Sequence, residues 1–223
     1  MQRIVVFTGA GISAESGLGT FRNSDGLWEQ YKIEDVATPE AFDKNPELVL
    51  NFYNLRRKQL LDSKPNAAHF VLNQLYEKYH LNIITQNIDD LHEKSGSKNV
   101  LHLHGKLKEA KSSLDNSLIY PIKGPELKMG DLCEKGSQLR PNVVWFGEAV
   151  PKMIDAISIT KKADILIVIG TSLNVFPAAS LMNHTENAKR IILIDPEAEE
   201  RKDIETIKEK ATIATPKLVK ELL

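Results

Sequence analysis

The stretch Ile165-Leu166-Ile167-Val168-Ile169 is apolar at every position and β-branched at all but Leu166. A strand with one face in water alternates polar and apolar residues. An unbroken apolar run of this length instead suits a parallel strand covered by helices on both faces. Shorter runs of the same kind predict strands over Ile4–Thr8, Leu81–Thr85, Val100–His104, Val143–Phe146, Ile165–Gly170 and Arg190–Ile194. Helical patterns lie between them: Pro46–Leu61, with Asn45 as cap and Leu48, Phe52 and Leu55 as its apolar stripe; Ala67–Tyr79; Pro151–Lys162; and Pro216–Leu222, capped by Thr215. Alternation of this kind predicts an α/β fold with a doubly wound parallel sheet.

At 223 residues the chain is long for one simple domain. Two segments interrupt the alternation, about 23–66 and 107–140, the second polar and punctuated by Gly and Pro. Both read as insertions flanking a cleft. The formal charge of −1 removes the electrostatic argument for nucleic-acid or anionic-membrane partners. A lone cysteine, Cys133, excludes an intrachain disulfide and cannot by itself build a structural zinc site. The chain enters its first strand directly after Met1-Gln2-Arg3, and no apolar run reaches membrane-spanning length, so a cytoplasmic protein is expected. A monomer is the simpler expectation for its oligomeric state.

Gly9-Ala10-Gly11-Ile12-Ser13-Ala14 follows the first strand and fits G-x-G-x-x-A, a tolerated form of the dinucleotide fingerprint. Small residues after a strand also make ordinary strand-to-helix turns, and the motif alone leaves both readings open. The second strand runs into Gln86-Asn87-Ile88-Asp89, amides and an acid at the sheet edge where α/β proteins bind ligands; helix capping by Asn87 or Asp89 is the competing account. In Val100-Leu101-His102-Leu103-His104-Gly105, His102 and His104 share a face. The terminal His104 suits a base, whereas His102 inside the strand suits a hydrogen-bonded core residue. A metal pair would need a third ligand, and none is near in sequence. The strand Val143–Phe146 has an edge that an extended peptide can join, although most such strands are simply core. Gly170-Thr171-Ser172 offers groups for phosphate or ribose. Asp195, ending a strand, suits a ribose hydroxyl and disfavours a 2′-phosphate, so NAD is expected over NADP. Tyr53 and Arg56 share a helix face and together make a carboxylate receptor, yet neighbouring Arg57 and Lys58 favour a solvated face.

Several segments taken together resemble the sirtuins, NAD-dependent protein deacylases. They are Gly9–Gly17 with Thr20-Phe21-Arg22, Gln86–Asp89, His102–Gly105, Leu139–Glu148 and Gly170–Ser172, in the family's order along nearly the whole chain. The resemblance implies a Rossmann-type doubly wound parallel sheet with a smaller inserted module. The large part would be residues 1–22, 67–106 and 141–223, in a single catalytic domain. It implies NAD contacts from Gly9, Ala10, Gly11, Ser13, Glu15, Thr20, Phe21, Arg22, Trp28, Gln86, Asn87, Ile88, Asp89, Gly170, Thr171, Ser172, Asp195 and Ala211. The family more often has Asn where Asp195 stands, which weakens that contact. His104 would be the general base, with Asn87 beside it in catalysis. Acylated-lysine proteins or peptides would bind at Val144, Phe146, Gly147 and Glu148.

Tyr53-x-x-Arg56, with Ala37 leaving room beside it, resembles the sirtuins that remove succinyl and malonyl groups. The resemblance therefore reverses the solvated-face reading. Family members usually carry two C-x-x-C zinc pairs. Here Ser112, Ser113 and Asp115 lie near the first and only Cys133 near the second, so no zinc is expected, and Leu114, Leu118, Ile119, Tyr120 and Ile122 should pack in its place.

Three other readings stay distinguishable. A dehydrogenase would need an acid at a strand end about 20 residues past the glycine loop, and Glu34 and Asp35 follow no strand. A non-catalytic ADP-ribose-binding module would not need His104 beside Asn87 and Asp89. A metal hydrolase using His102 and His104 would respond to chelators.

Overall fold

A computed structural model of the chain describes residues 1–19, 30–173 and 175–223. The expected NAD contacts at Thr20, Phe21, Arg22 and Trp28 lie outside the described residues. Six strands, β1 (Arg3–Thr8), β2 (His80–Thr85), β3 (Val100–His102), β7 (Ile165–Ile169), β8 (Arg190–Ile194) and β9 (Glu205–Ile207), form a parallel sheet in the order β3-β2-β1-β7-β8-β9. The chain winds outward from β1 in one direction and then from β7 in the other, the doubly wound arrangement expected. The intervening strands β4 (Gly105–Ser112), β5 (Ile119–Pro121) and β6 (Leu139–Val143) make a separate antiparallel sheet in the order β5-β4-β6.

The described helices are α1 (Gly11–Ala14), α2 (Ile33–Val36), α3 (Pro39–Lys44), α4 (Pro46–Asp62), α5 (Ala67–Leu72), α6 (Leu91–Lys94), α7 (Met153–Thr160) and α8 (Ala211–Leu222). All five residues of β7 are buried, and the period of two in a strand sends them into two cores. Ile165, Ile167 and Ile169 join Ile4, Val6, Ile192 and Ile194 under α5 and α8, through Leu72, Leu218 and Val219. Leu166 and Val168 join Val5, Phe7 and Leu193 on the opposite face, under Ala156 of α7 and Leu181.

Several boundaries differ from the sequence reading. β3 stops at His102, so His104 lies beyond it. The strand expected over Val143–Phe146 is instead β6, ending at Val143. After that point Phe146 N–H donates to Ala37 O (3.0 Å) and Trp145 N–H to Glu148 Oε2 (2.8 Å), which draws the chain out of the sheet. β4 escaped notice because its register shifts between Gly105 and Ala110, which breaks the alternation that marks a strand. The helix expected over Ala67–Tyr79 is α5 followed by a 3₁₀ segment, Asn73–Glu77.

α8 begins five residues before Pro216, and Thr215 lies buried inside it rather than capping it. The carboxylate of Glu15, far away in sequence, accepts from Thr212 N–H (3.3 Å) and Thr212 Oγ1 (2.7 Å), and so does the capping work. In α4, Asn45 caps as expected, its Oδ1 accepting from Leu48 N–H. The buried face is Val49, Leu50, Phe52, Tyr53, Arg57 and Leu60; Leu55 of the expected stripe is 42 % exposed.

Helices α2 to α4 pack on the second sheet around Val36, Phe42, Phe52, Tyr53, Leu107, Val143 and Trp145. The expected packing by Leu114, Leu118, Ile119, Tyr120 and Ile122 is not what orders this region. Leu114 is 86 % and Ile119 49 % exposed, and Ile122 only borders the core. Polar contacts tie the segment instead: Ser112 Oγ to Ser137 Oγ (2.7 Å), Ser137 Oγ to Cys133 Sγ (3.1 Å) and Lys135 Nζ to Asp115 Oδ2 (2.7 Å).

Arg57, which by its charge suggested a solvated face, is wholly buried. Its Nε donates to Leu107 O (2.8 Å) and its Nη1 to Pro125 O (3.0 Å) and Asn54 Oδ1 (2.7 Å). Burial lowers its pKa to about 10. This guanidinium therefore joins α4 both to β4 and to the loop between β5 and β6.

Candidate active site

The glycine loop meets the end of β7 at the point where the winding reverses, between β1 and β7. Gly9 N–H donates to Ile169 O (3.0 Å) and Gly11 N–H to Gly170 O (2.8 Å). A Cβ on Gly9 would stand 2.6 Å from Thr171 Cβ, and one on Gly11 2.6 Å from Gly170 Cα. Gly170 itself has φ +65°. The glycines are thus required by contact between the two loops, before any ligand is considered. Ala10 lies between them, leading into the single turn of α1.

The loop after β2 closes a third side. Gln86 Nε2 donates to Thr171 Oγ1 (3.0 Å), Asn87 Nδ2 to Ser13 Oγ (3.1 Å) and Ser13 Oγ to Asp89 Oδ2 (3.0 Å). Asp89 Oδ1 accepts from Leu91 N–H (3.1 Å) in an Asx turn leading into α6, whose cap position is Asp90, so neither Asn87 nor Asp89 is the helix cap. Burial raises the Asp89 pKa against the pull of those hydrogen bonds. Ile88 faces the core of the smaller sheet, and its carbonyl accepts from Leu107 N–H (2.8 Å).

His104 stands just past β3, where Gly105 turns the chain with φ +79°. Its Nδ1 lies 3.0 Å from Gln86 O. A carbonyl only accepts, so Nδ1 carries the proton and Nε2 keeps its lone pair. Burial lowers the His104 pKa, and the bond to Gln86 partly opposes this. The ring is a neutral base with a defined basic nitrogen.

Tyr53 and Arg56 form the other end. Tyr53 is 3 % exposed, and its hydroxyl accepts from Trp145 Nε1 at 3.0 Å. Burial pushes its pKa to about 12, against the nearby Arg56 charge. The Arg56 guanidinium lies 5.9 Å from the centroid of the Tyr53 ring and 5.8 Å from that of Phe52. Burial lowers its pKa, while Tyr53 and Asp89 pull the other way, so Arg56 and the Asp89 network share one electrostatic environment. Ala37 is buried and contributes its carbonyl to Phe146. The solvated-face reading of this helix surface is overturned.

The segment Val144–Glu148 is more committed than a free strand edge. Val144 N–H donates to His104 O (2.9 Å), and the Trp145 and Phe146 N–H groups are bonded as described above. Glu148 pairs with both terminal nitrogens of Arg140 at 2.8 Å, and the Arg140 guanidinium sits 3.5 Å from the centroid of the Trp145 ring. Glu148 therefore braces Trp145, a residue the sequence reading did not single out. Phe146 is exposed and Gly147 has φ +89°. Asp195 is buried directly after β8 and accepts from Glu197 N–H (2.9 Å); Ser172 is half-buried. Ala211 begins α8 and Glu15 bonds to Thr212 beside it, so both lie at the start of that helix rather than in the Gln86–Asp89 network.

A family model described as "Sir2 family" matches residues 9–177. The chain belongs to the Sir2 family. A Helicobacter pylori (strain ATCC 700392 / 26695) protein named NAD-dependent protein deacylase is 50 % identical over 226 residues, covering 100 % of this chain and 98 % of that protein. A protein of the same name from Bacteroides thetaiotaomicron is 51 % identical over 201 residues, 88 % of this chain and 86 % of that one. Among solved structures, a Sir2 homologue complexed with ADP-ribose superposes with TM-score 0.89 at 40 % identity, covering 99 % of this chain and 91 % of that chain. A Sir2 homologue bound to NAD gives TM-score 0.87 at 40 % identity over 99 % and 89 % of the two chains. The six-stranded parallel sheet with a separate small antiparallel sheet is thus the sirtuin fold, and the protein is a sirtuin-family enzyme. Among its described residues no helix is long and apolar enough to cross a membrane.

Proposed function

We propose that this sirtuin removes acyl groups from lysine side chains of proteins, with NAD as co-substrate, and that it takes succinyl and malonyl groups as well as acetyl. The observation that carries the reading is the His104–Gln86 bond, which leaves an unprotonated imidazole nitrogen beside the loop bearing Asn87 and Asp89. A proton acceptor that is neutral near pH 7 is what activation of a ribose hydroxyl requires.

The residues fit NAD. Three loops converge where the winding reverses, an acid ends β8, and the Ser13–Asn87–Asp89 network offers amide and carboxylate groups to the nicotinamide side. Bound there, NAD would supply the ADP-ribose that takes the acyl group as nicotinamide leaves. Gly9–Ser13 would line the phosphates, while Gly170, Thr171, Ser172 and Asp195 would hold the adenosine half, the Asp195 carboxylate disfavouring a 2′-phosphate. Thr20, Phe21, Arg22 and Trp28 are assigned to the ribose side on the family resemblance alone.

Arg56 would pair with the carboxylate of a succinyl or malonyl chain, with Tyr53 fixed in place by Trp145. Backbone groups of Val144–Gly147 would take the flanking peptide. The N–H groups of Val144, Trp145 and Phe146 are bonded within the chain and the Trp145 carbonyl accepts from Glu148 N–H (3.1 Å), so the carbonyls of Val144 and Phe146 would pair with the peptide. We further propose that the smaller module works without zinc, held by the Arg57 contacts and the Ser112–Ser137–Cys133 cluster, and that the protein acts in the cytoplasm as a monomer.

The deciding experiment incubates the protein with NAD and succinyl-, malonyl- and acetyl-lysine peptides and follows O-acyl-ADP-ribose by mass spectrometry. Formation of the acyl product with all three supports the reading. NADH production, or nicotinamide release without acyl transfer, overturns it.

A further inference from the structure

His102 ends β3 and is 7 % exposed. Its Nδ1 lies 2.9 Å from the carbonyl oxygen of Asn87 and its Nε2 2.8 Å from Glu93 Oε1. Neither partner has a hydrogen to give, since one is a peptide carbonyl and the other a carboxylate. A neutral imidazole carries a single N–H and satisfies one acceptor only. Two short contacts to acceptors therefore place a proton on each ring nitrogen.

The carboxylate is well supported as an anion. Burial alone would raise the Glu93 pKa, but the hydrogen bond and charge of His102, with a further hydrogen bond from Lys106, bring it down to about 2. Lys106 Nζ stands 3.1 Å from the same oxygen that His102 meets. Asp89 and His92 also act electrostatically with the His102 ring; burial lowers the His92 pKa to about 3 and so keeps it uncharged.

Asn87 is held at three points. Its N–H donates to Thr85 Oγ1 (3.0 Å), its side-chain amide to Ser13 Oγ (3.1 Å), and its carbonyl accepts from His102. Only the last of these carries a charge, and a charge-assisted bond is the stronger kind. Without it, the peptide plane between Asn87 and Ile88 loses the contact that His102 makes to its oxygen. Asp89, two residues on, then loses its alignment with Ser13.

We propose that His102 is a positioning residue for the NAD-dependent reaction: as an imidazolium clamped by Glu93, it fixes the Asn87 carbonyl and thereby the orientation of Gln86–Asp89 toward the nicotinamide end of NAD. This rests on the role given above to Asn87, and it assigns His102 a function that HxH spacing alone does not suggest.

The test uses the full chain. With ¹⁵N-labelled histidine and no substrate, NMR should show both His102 ring nitrogens protonated at pH 7.5, and one only in Glu93→Gln, where a neutral amide replaces the anion. In His102→Phe, kcat/KM for NAD should fall roughly ten- to hundred-fold through kcat, with the peptide KM within about twofold of wild type. His102→Gln, which keeps one donor, should recover most of that loss. Thermal unfolding confirms that each variant folds; if His102→Phe does not, His102→Gln is read against wild type, with an intermediate loss expected. A singly protonated ring in the wild type, or unchanged kinetics in a folded His102→Phe, overturns the proposal. Wild-type protein inactive on every acyl peptide overturns the functional reading instead, because the ring protons are read without acyl substrate.

Discussion

Tyr53 and Trp145, 92 residues apart in sequence, share a buried hydrogen bond of 3.0 Å that joins α4 to the segment leaving β6. Tyr53 Oη accepts from the indole, which sets the direction of the phenol, and Arg56, about one turn further along α4, holds its guanidinium 5.9 Å from the centroid of that ring. Arg56→Met should cost succinyl- and malonyl-lysine peptides about 1.5–3 kcal/mol of binding, one to two decades in kcat/KM, while leaving acetyl-lysine peptide within a few-fold. Parallel kinetics on the three peptides check this, and equal losses on all of them would sink the charge-reading role.

His104 must be neutral to accept a proton, and burial holds its pKa below 6.5. The rate should therefore be flat through neutral pH and fall only on the acid side, as the ring protonates. His104→Tyr should keep NAD binding, measured by calorimetry, and lose turnover by at least about a hundredfold. An unchanged pH–rate profile in a residually active His104 variant would assign the acid limb to another group.

Stability should have its own acid limb. His69 and His92 pack edge to face with ring centroids 5.0 Å apart, and burial lowers their pKa values to about 4 and about 3. A histidine whose folded pKa lies below 6.5 leaves the unfolded chain holding more protons in between. Stability is then complete above pH 6.5 and is lost as pH falls toward 3–4. The melting temperature should drop steadily across that window, and His69→Gln should flatten the slope. A slope unchanged by the substitution would point to carboxylates instead.

Arg57→Met should destabilise the protein by about 2–4 kcal/mol, since it strips the carbonyls of Leu107 and Pro125 of a buried donor. Hydrogen exchange should accelerate first in β4 and around Leu127, whose N–H depends on the Asn54 side chain that Arg57 holds. Protection lost uniformly across the large sheet would argue against a local staple.

Glu15→Ala should cost about 1 kcal/mol by uncapping α8, seen as a lower urea midpoint with an unchanged slope.

Much of this was legible from one dimension. The central strands announced themselves because burial on both faces leaves a local mark, an unbroken apolar run such as Ile165–Ile169. Asn45 and Pro46 marked the start of α4 because a cap acts within one turn. Residues whose partners are distant left no such mark. Thr215 was a credible cap until Glu15 was found at the start of α8, and Arg57 a credible surface residue until its carbonyl partners were in view. β4 was hidden by a register shift that breaks alternation, and Trp145 was visible only as part of a motif.

The sequence by itself determined the parallel sheet, the place of the glycine loop at the end of its first strand, and the residue types available for proton transfer at Gln86–Asp89 and His104. Hydrophobic periodicity and turn chemistry act over a few residues and need no knowledge of the rest of the chain. Only the tertiary structure decided which nitrogen of His104 is basic, that Tyr53 and Arg56 are drawn inside, and that His102 lies between the Asn87 carbonyl and Glu93. Each of these depends on burial and on hydrogen-bond partners brought together from separate parts of the chain, and desolvation acts on a side chain only once folding has removed the water around it.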